Sequence, residues 1–202
     1  MNQEVEQIVE AARFLGARGW APAGAGNYSH RLADGTIAVT VSGAQKAQLT
    51  PADVMRVDAE GRSLDGRQPS AEAALHLAVY RLDRRIRAVL HTHSIPAVVL
   101  SRVLPKSRLL TFKGYELQKA FPGVKTHEAT VGMPIFDNSQ DMHALANRVS
   151  SELTARRAPA FLIRNHGLYG WGASVDEAMR VVEAAETLIA CELEVLRFNH
   201  RP

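Results

Sequence analysis

Three histidines have the spacing and surroundings of metal ligands. His91 and His93 directly follow the apolar run 88–90, and His166 closely follows a second apolar run, 160–163. Residues i and i+2 of an extended chain face the same side, so the imidazoles of His91 and His93 can bind one ion. Three protein ligands with a fourth position open to substrate are typical of catalytic rather than structural zinc. The pattern therefore predicts a catalytic metal site of the zinc type.

Chance is the simpler interpretation, because a chain with eight histidines will contain some close pairs. The surroundings argue against it. Both histidine segments end strand-like apolar runs, and the ligands of α/β proteins gather beyond the carboxyl ends of strands. We therefore favour a metal site over histidines that only complete the core.

Three segments rich in small residues could bind a phosphate group. They are residues 24–27, residues 42–46 and residues 69–71, the last at a predicted helix N-terminus. Such segments supply backbone N–H groups, hydroxyls and the helix dipole to an anion. Glycine and serine also simply form turns, and for any single segment that interpretation is favoured. Three of them beside a metal site favour a phosphorylated substrate.

Two glutamates are candidates for acid/base chemistry, and each has an ordinary alternative. Glu72 lies just after Ser70, where a carboxylate is favoured by the helix dipole and can serve only as a capping residue. Glu116 lies in the segment 113–119, where an exposed glutamate is the default. The residues alone leave both alternatives open.

The composition is that of an ordinary globular protein. The 202 residues are 46% hydrophobic and 22% charged, which fits one domain with a sizeable core. The net charge is only +3 and no long Lys/Arg run occurs, so a nucleic-acid partner is not expected. One cysteine, Cys191, excludes an intrachain disulfide. We expect a cytoplasmic protein without a membrane partner, because no signal core or membrane-length apolar window occurs.

The periodicity predicts helices on a mixed, largely antiparallel sheet within one domain, residues 1–202. The helices are expected at 4–16, from Ser70 as N-cap to about Leu82, and at 95–104, 142–155 and 175–198, with a helical turn at 115–121. The strands are expected at 27–32, 36–41, 54–57, 88–93, 109–112, 130–133, 160–164 and 168–171. The segment 24–26 precedes a strand instead of opening a helix, which excludes a dinucleotide-binding loop.

The order of five motifs resembles the zinc-dependent class II aldolase superfamily, of the fuculose-phosphate aldolase and ribulose-phosphate epimerase type. The motifs are Gly26-Asn27, Ser42-Gly43 with Lys46, Ser70-Ala71-Glu72, His91-Thr92-His93 and Asn165-His166-Gly167. The resemblance implies a three-layer α/β/α fold, a sugar-phosphate substrate, and a homotetramer with metal sites near subunit boundaries. It also implies Zn²⁺ on His91, His93 and His166. The implied phosphate ligands are Asn27, Ser42, Gly43 and Ser70, with added charge from Lys46.

A narrower resemblance is to the dehydratases of methionine salvage within that superfamily. It is carried by the segments 114–120, 126–128 and 131–138. It implies a hydro-lyase that removes water from 5-methylthioribulose 1-phosphate through a zinc-stabilised enediolate, with Glu116 as the acid/base group. Glu72 matches the position of the aldolases' acid/base glutamate. The alternatives are therefore a sugar-phosphate aldolase, which would break the C3–C4 bond, and a non-catalytic adaptor domain of the same fold.

Overall fold

An eight-stranded mixed sheet forms the centre of the protein in the computed structural model, which describes residues 3–156 and 158–199. Residues 1, 2, 157 and 200–202 lie outside this description. The strands are β1 (Asn27–Arg31), β2 (Ile37–Thr40), β3 (Val54–Val57), β4 (Ala88–Thr92), β5 (Leu109–Phe112), β6 (Val131–Phe136), β7 (Ala160–Ile163) and β8 (Gly167–Gly172). Their order is β3-β2-β1-β4-β8-β7-β6-β5, and neighbours are antiparallel except for the parallel pair β6 and β7.

Helices cover both faces of the sheet. They are α1 (Gln3–Ala17), α2 (Ala73–Leu82), α3 (Ile95–Val103), α4 (Met142–Ala155) and α5 (Val175–Asn199). The buried residues of α1, α3 and α5 form one core cluster with the sheet, and those of α2 and α4 form a second. Helices on the two faces of one sheet make three layers. The predicted α/β/α fold with a mostly antiparallel sheet is confirmed.

The alternation of side chains along β4 explains how one strand serves both core clusters. Ala88 and Leu90 pack in the cluster of α1, α3 and α5, whereas Val89 packs in the cluster of α2 and α4. Successive side chains of a strand point to opposite faces, so an apolar run buries both sides. His91 and Thr92 continue this alternation, so their side chains lie on opposite faces of the sheet.

The structure changes two boundaries near the site. The helix expected from Ser70 begins at Ala73, with Glu72 as its N-cap residue. Ser70 is therefore not the N-cap, although its hydroxyl accepts a hydrogen bond from the Glu72 N–H at 3.3 Å. The physical reason is that Pro69 is held in an isolated β-bridge with Val41 and residues 71 and 72 form a turn, so the helix begins only after that turn.

The second change is in β6, which continues to Phe136 instead of ending near residue 133, because its last two residues pair in parallel with β7. Among residues 3–156 and 158–199, no helix has both the length and the apolar character that crossing a bilayer requires.

Candidate metal centre

Four side chains from three parts of the chain meet at one end of the sheet. They are Glu72, His91, His93 and His166, and their candidate ligand atoms all lie within 4.8 Å of one another. Glu72 precedes α2, His91 lies at the end of β4 with His93 just beyond it, and His166 lies in the turn between β7 and β8. The three histidines expected from the sequence are thus brought together, with one of the two candidate glutamates.

Strand pairing explains how His166 reaches the other histidines. β4 and β8 are antiparallel neighbours, with His91 opposite Tyr169 and Thr92 opposite Leu168. His166 immediately precedes β8, so the turn delivers its imidazole to the end of β4. The turn itself uses Asn165 in the left-handed region, at φ 57°, a conformation that asparagine tolerates better than most residues. The pairing of β4 with β8 therefore brings together His91 and His166, which are far apart in the sequence.

The surroundings of His91 fix which of its nitrogens can bind a metal. Its Nδ1 lies 2.9 Å from the carbonyl oxygen of Leu168, and a carbonyl only accepts, so Nδ1 carries the proton. The ring is fully buried and stacks on Tyr169 with centroids 3.8 Å apart. Its Nε2 faces the Nε2 of His166 at 3.3 Å. A metal-ligating histidine typically donates its second N–H to a carbonyl or carboxylate in this way.

The protonation states of the histidines fit a metal site as well. The buried Nε2 atom of His93 has no hydrogen-bond partner among the described residues. Burial and the neighbouring His93 hold the pKa of His91 well below its usual range, and burial and His166 lower the pKa of His93 to about 4. Imidazoles must be neutral to bind a metal. The cluster therefore has the donor set that a metal ion requires, and His91 and His93 have the required neutral state.

Glu72 is already engaged by two partners. Its Oε1 lies 2.7 Å from Nε2 of His166 and 3.9 Å from Nε2 of His91, and its Oε2 accepts a hydrogen bond from the Asn27 amide. Burial raises the pKa of Glu72, but the hydrogen bond with His166 and the nearby His91 outweigh it and lower that pKa to about 2. Glu72 is therefore a carboxylate anion, able to act as a fourth metal ligand.

A cavity of about 170 Å³ opens beside the cluster. Its walls include Glu72 and His93 from the cluster. They also include all five residues expected at a phosphate, namely Asn27, Ser42, Gly43, Lys46 and Ser70. The three small-residue segments of the sequence therefore share one cavity with two of the four cluster residues.

Lys46, which the resemblance implies adds charge at the phosphate, is a buried cation that is already engaged by the protein. It is only 1% exposed, and its ammonium donates to the carbonyl oxygens of Gly24 at 2.9 Å and Ala44 at 2.7 Å. Burial lowers the pKa of Lys46. Lys46 therefore holds the two loops of the cavity together, and one of its three N–H groups remains for a ligand.

Glu116 lies away from the cluster in a single copy of the chain. It begins a 3-10 helix, Glu116–Ala120, and its side chain is 69% exposed. Within the described residues, its carboxylate pairs with the Lys119 ammonium and lies 3.1 Å from Nδ1 of His127. The hydrogen bond from Lys119 lowers the pKa of Glu116, so it is ionised. The fold thus brings Glu72, and not Glu116, to the three histidines.

Two residues that contact the metal-ligand segment and hold it in place were not identified from the sequence. Tyr169 stacks on His91, and Glu186 of α5 accepts hydrogen bonds from the hydroxyls of Thr92 and Ser94. A signal for Glu186 existed: it lies four residues after Val182 and three before Ile189, on the buried stripe of an amphipathic helix. A carboxylate on such a stripe indicates a buried polar contact.

Comparisons with known proteins agree with this architecture. Residues 6–193 match the family model described as the Class II Aldolase and Adducin N-terminal domain. Methylthioribulose-1-phosphate dehydratase of Pseudomonas paraeruginosa is 53% identical over 200 residues, covering 98% of this chain and 97% of the relative. The enzyme of that name from Marinobacter nauticus is 48% identical over 194 residues, covering 95% and 93%.

Solved structures of the same fold cover the whole chain. The l-fuculose-1-phosphate aldolase of Thermus thermophilus has a TM-score of 0.79 at 27% identity, with all of both chains covered. The sugar-phosphate aldolase of Thermotoga maritima has a TM-score of 0.77 at 20% identity, covering 99% of this chain and 97% of that one, and shows likeness of fold alone. This chain belongs to the class II aldolase and adducin N-terminal domain family.

Proposed function

We propose that this chain is a zinc-dependent hydro-lyase that converts 5-methylthioribulose 1-phosphate to 2,3-diketo-5-methylthiopentyl 1-phosphate in methionine salvage. The observation that carries the proposal is the cluster of one carboxylate and three histidines beside a cavity lined with small polar residues. Relatives of about half-identical sequence that bear the dehydratase name support the choice of substrate. We further propose that residues 1–202 act as one domain, in the cytoplasm.

Zinc is the proposed metal because three imidazoles and a carboxylate are nitrogen and oxygen donors that suit it. His91, His93 and His166 would hold it, with Glu72 as the group nearest to them. When bound, zinc would act as a Lewis acid that polarises the C2 carbonyl of the substrate and so acidifies the proton on C3. The residues of the chain would supply the remaining steps.

The phosphate end of the substrate would occupy the cavity beside the cluster. The proposed phosphate ligands are Asn27, Ser42, Gly43, Lys46 and Ser70. A phosphate needs several donors at once, and hydroxyls, backbone N–H groups and one lysine N–H are available there. Because Glu72 and His93 line the same cavity, a phosphate fixed in it would leave the sugar carbons beside the metal.

Glu116 is the proposed acid/base group. Its carboxylate would take the C3 proton, and the resulting acid would return a proton to the C4 hydroxyl as that group leaves as water. The enol that remains tautomerises to the second ketone, which balances the loss of one water. Glu72 is less suited to this step, since His166 and Asn27 already occupy its two oxygens.

A second copy of the chain would have to bring Glu116 to the cluster, and we propose a homotetramer. Two exposed apolar side chains support contacts between copies, one near the histidine cluster and one next to Glu116. Ile95, two residues after His93, is 73% exposed, and Leu117, next to Glu116, is 41% exposed. Apolar side chains of this kind are commonly covered in the interfaces of homo-oligomers.

A second candidate function is aldol cleavage of a ketose 1-phosphate. The observation in its favour is Glu72, since the carboxylate inside the cluster stands where the aldolases of this superfamily have their acid/base group. An aldolase would break the C3–C4 bond and take its proton from the C4 hydroxyl. A pure adaptor role has less support, because scaffolding does not require three imidazoles that face one another.

The deciding experiment is incubation of the zinc-loaded protein with methylthioribulose 1-phosphate and, separately, with fuculose 1-phosphate. We expect a diketone product from the first sugar, detected by mass spectrometry as the loss of one water, and no reaction of the second. Release of an aldehyde from either sugar would instead identify an aldolase. Absence of both products from protein with bound zinc would overturn the proposed function.

A further inference from the structure

A buried carboxylate supports the metal-ligand segment from the opposite face of the sheet. Glu186 of α5 is 2% exposed, and its two oxygens accept hydrogen bonds from the hydroxyls of Thr92 and Ser94. These two residues lie on either side of His93 in the sequence. Glutamate is almost never fully buried unless it is paired. The burial of Glu186 therefore requires an explanation other than the helix propensity of glutamate.

Strand alternation separates the metal ligands from this support. His91 faces the core cluster of α2 and α4, where its ring stacks on Tyr169. Thr92 is the next residue and faces the other side, where its hydroxyl meets Glu186 of α5. Successive residues of a strand must face opposite sides. A hydrogen bond on the α5 side therefore fixes the backbone that carries the ligands on the α2 side.

Ser94 extends the same connection beyond the end of β4. Its oxygen accepts the Ala97 N–H at 3.1 Å and so caps α3, while its own proton is donated to Glu186. The backbone N–H of His93 donates to the carbonyl of Trp20 at 2.7 Å. The residues before and after His93 are thus held through their side chains, and His93 is held through its backbone.

We propose that Glu186 is a positioning residue, which holds Thr92 and Ser94 so that the imidazoles of His91 and His93 keep the geometry needed by a bound metal. Stability alone accounts poorly for such a group, because apolar replacement of buried charges is often neutral or stabilising. Burial indeed raises the pKa of Glu186 to about 7, against the lowering effect of the two hydroxyls. Loss of outer partners of metal ligands, in contrast, weakens metal binding.

This inference rests on the proposed metal centre, and its test measures the zinc dissociation constant by competition with a chromogenic chelator. Glu186→Leu removes both acceptors at similar size. Thr92→Val removes one hydroxyl at the same shape, and Glu186→Gln keeps a neutral acceptor. Glu183→Gln is the matched control on the same helix, because Glu183 pairs with Arg18 near the surface, at 2.9 Å.

We expect zinc binding to weaken about tenfold in Glu186→Leu, less in Thr92→Val, and least in Glu186→Gln, with the control unchanged. Wild-type zinc affinity in folded Glu186→Leu would overturn the proposal. If that variant does not fold, unchanged zinc affinity in Thr92→Val would overturn it instead. A wild-type chain that binds no zinc would overturn the metal centre and this role together, whereas normal wild-type binding with unaffected variants would overturn this role alone.

Discussion

Glu72 and His166 are 94 positions apart in the sequence, yet Oε1 of Glu72 lies 2.7 Å from Nε2 of His166. The contact joins the N-terminus of α2 to the turn between β7 and β8. It places an anion against the one histidine of the cluster that comes from the second half of the chain. Any ion bound by the three histidines would therefore lie next to a negative charge that the fold supplies.

The first prediction concerns zinc stoichiometry. We expect one zinc per chain after reconstitution, and His91→Asn should abolish it, because the fully buried Nε2 of His91 would be lost. Zinc at a thousandfold excess over its dissociation constant should stabilise the wild type by about 4 kcal/mol and the variant not at all. The measurements are metal analysis and thermal unfolding with and without zinc. His143→Asn, at an exposed position of α4, should behave as wild type; full zinc content in His91→Asn would contradict the ligand assignment.

The second prediction concerns Glu116. Glu116→Gln should abolish dehydration but leave zinc content intact, since Glu116 lies outside the cluster. If copies share sites, mixing Glu116→Gln with His91→Asn chains should restore activity, because some sites then combine an intact cluster with an intact Glu116. Random mixing in a symmetric oligomer gives about a quarter of wild-type sites. The assay is turnover after joint refolding of the two inactive variants. No recovery in confirmed mixed oligomers would argue for sites within single chains.

The histidine cluster could be predicted from sequence because its pattern is local. His91 and His93 share a side through the period-2 geometry of a strand, and His166 ends another apolar run. The distance between these segments could not be derived from periodicity. It depends on the pairing of β4 with β8, which is a long-range contact. The strand-end position of both segments and the resemblance to a known family indicate that contact only indirectly.

Residues whose role depends on burial are harder to predict from sequence than the histidine cluster. The resemblance implies that Lys46 adds charge at the phosphate site, but its burial between two loops, where two carbonyls accept its N–H groups, has no signal in the sequence. A glutamate in a helix is usually solvated, so only the position of Glu186 on the apolar stripe of α5 indicates its burial. Glu116 was placed by resemblance alone, and in one copy of the chain its neighbours are Lys119 and His127.

The third prediction concerns the cavity. Ser42 is exposed at its rim, so Ser42→Ala should not disturb the fold. Loss of one hydrogen bond to a charged phosphate costs about 1.5 kcal/mol, which is roughly a tenfold rise in KM. We expect kcat to change little. The control is Ser63→Ala, because Ser63 pairs with Val57 at the C-terminal end of β3 and does not line the cavity. Steady-state kinetics compares the two variants, and an equal KM in both would place the phosphate elsewhere.

The fourth prediction concerns Gly167, at the start of β8. A Cβ built there would lie 1.9 Å from the carbonyl oxygen of Thr92, so β4 and β8 could not keep their distance. Gly167→Ala should therefore lower the free energy of unfolding by several kcal/mol and weaken zinc binding. Gly132→Ala on β6 is the control, because its Cβ would meet only the flexible side chain of Leu109, at 3.3 Å. Urea unfolding measures both, and similar stability of the two variants would contradict the tight packing of β4 on β8.

The last prediction concerns the effect of pH on stability through Glu186. Burial raises its pKa from the ordinary 4.5 to about 7, against the lowering effect of the hydroxyls of Ser94 and Thr92. A carboxyl whose pKa is higher in the folded state stabilises the fold fully below the unfolded pKa. That contribution is lost as pH rises through the folded pKa. The difference between these two pKa values corresponds to about 3 kcal/mol.

Glu186→Gln cannot titrate, so the stability of the wild type should fall relative to this variant between about pH 4.5 and pH 8. Tyr28 does not interfere, because burial and the charge of Glu186 raise its pKa above this range. Urea unfolding of the zinc-free proteins at several pH values measures the difference, since the other titrating groups are common to both. Parallel plots of the free energy of unfolding against pH would mean that Glu186 keeps one protonation state over this pH range. The two hydroxyls would then offset the effect of burial on its pKa.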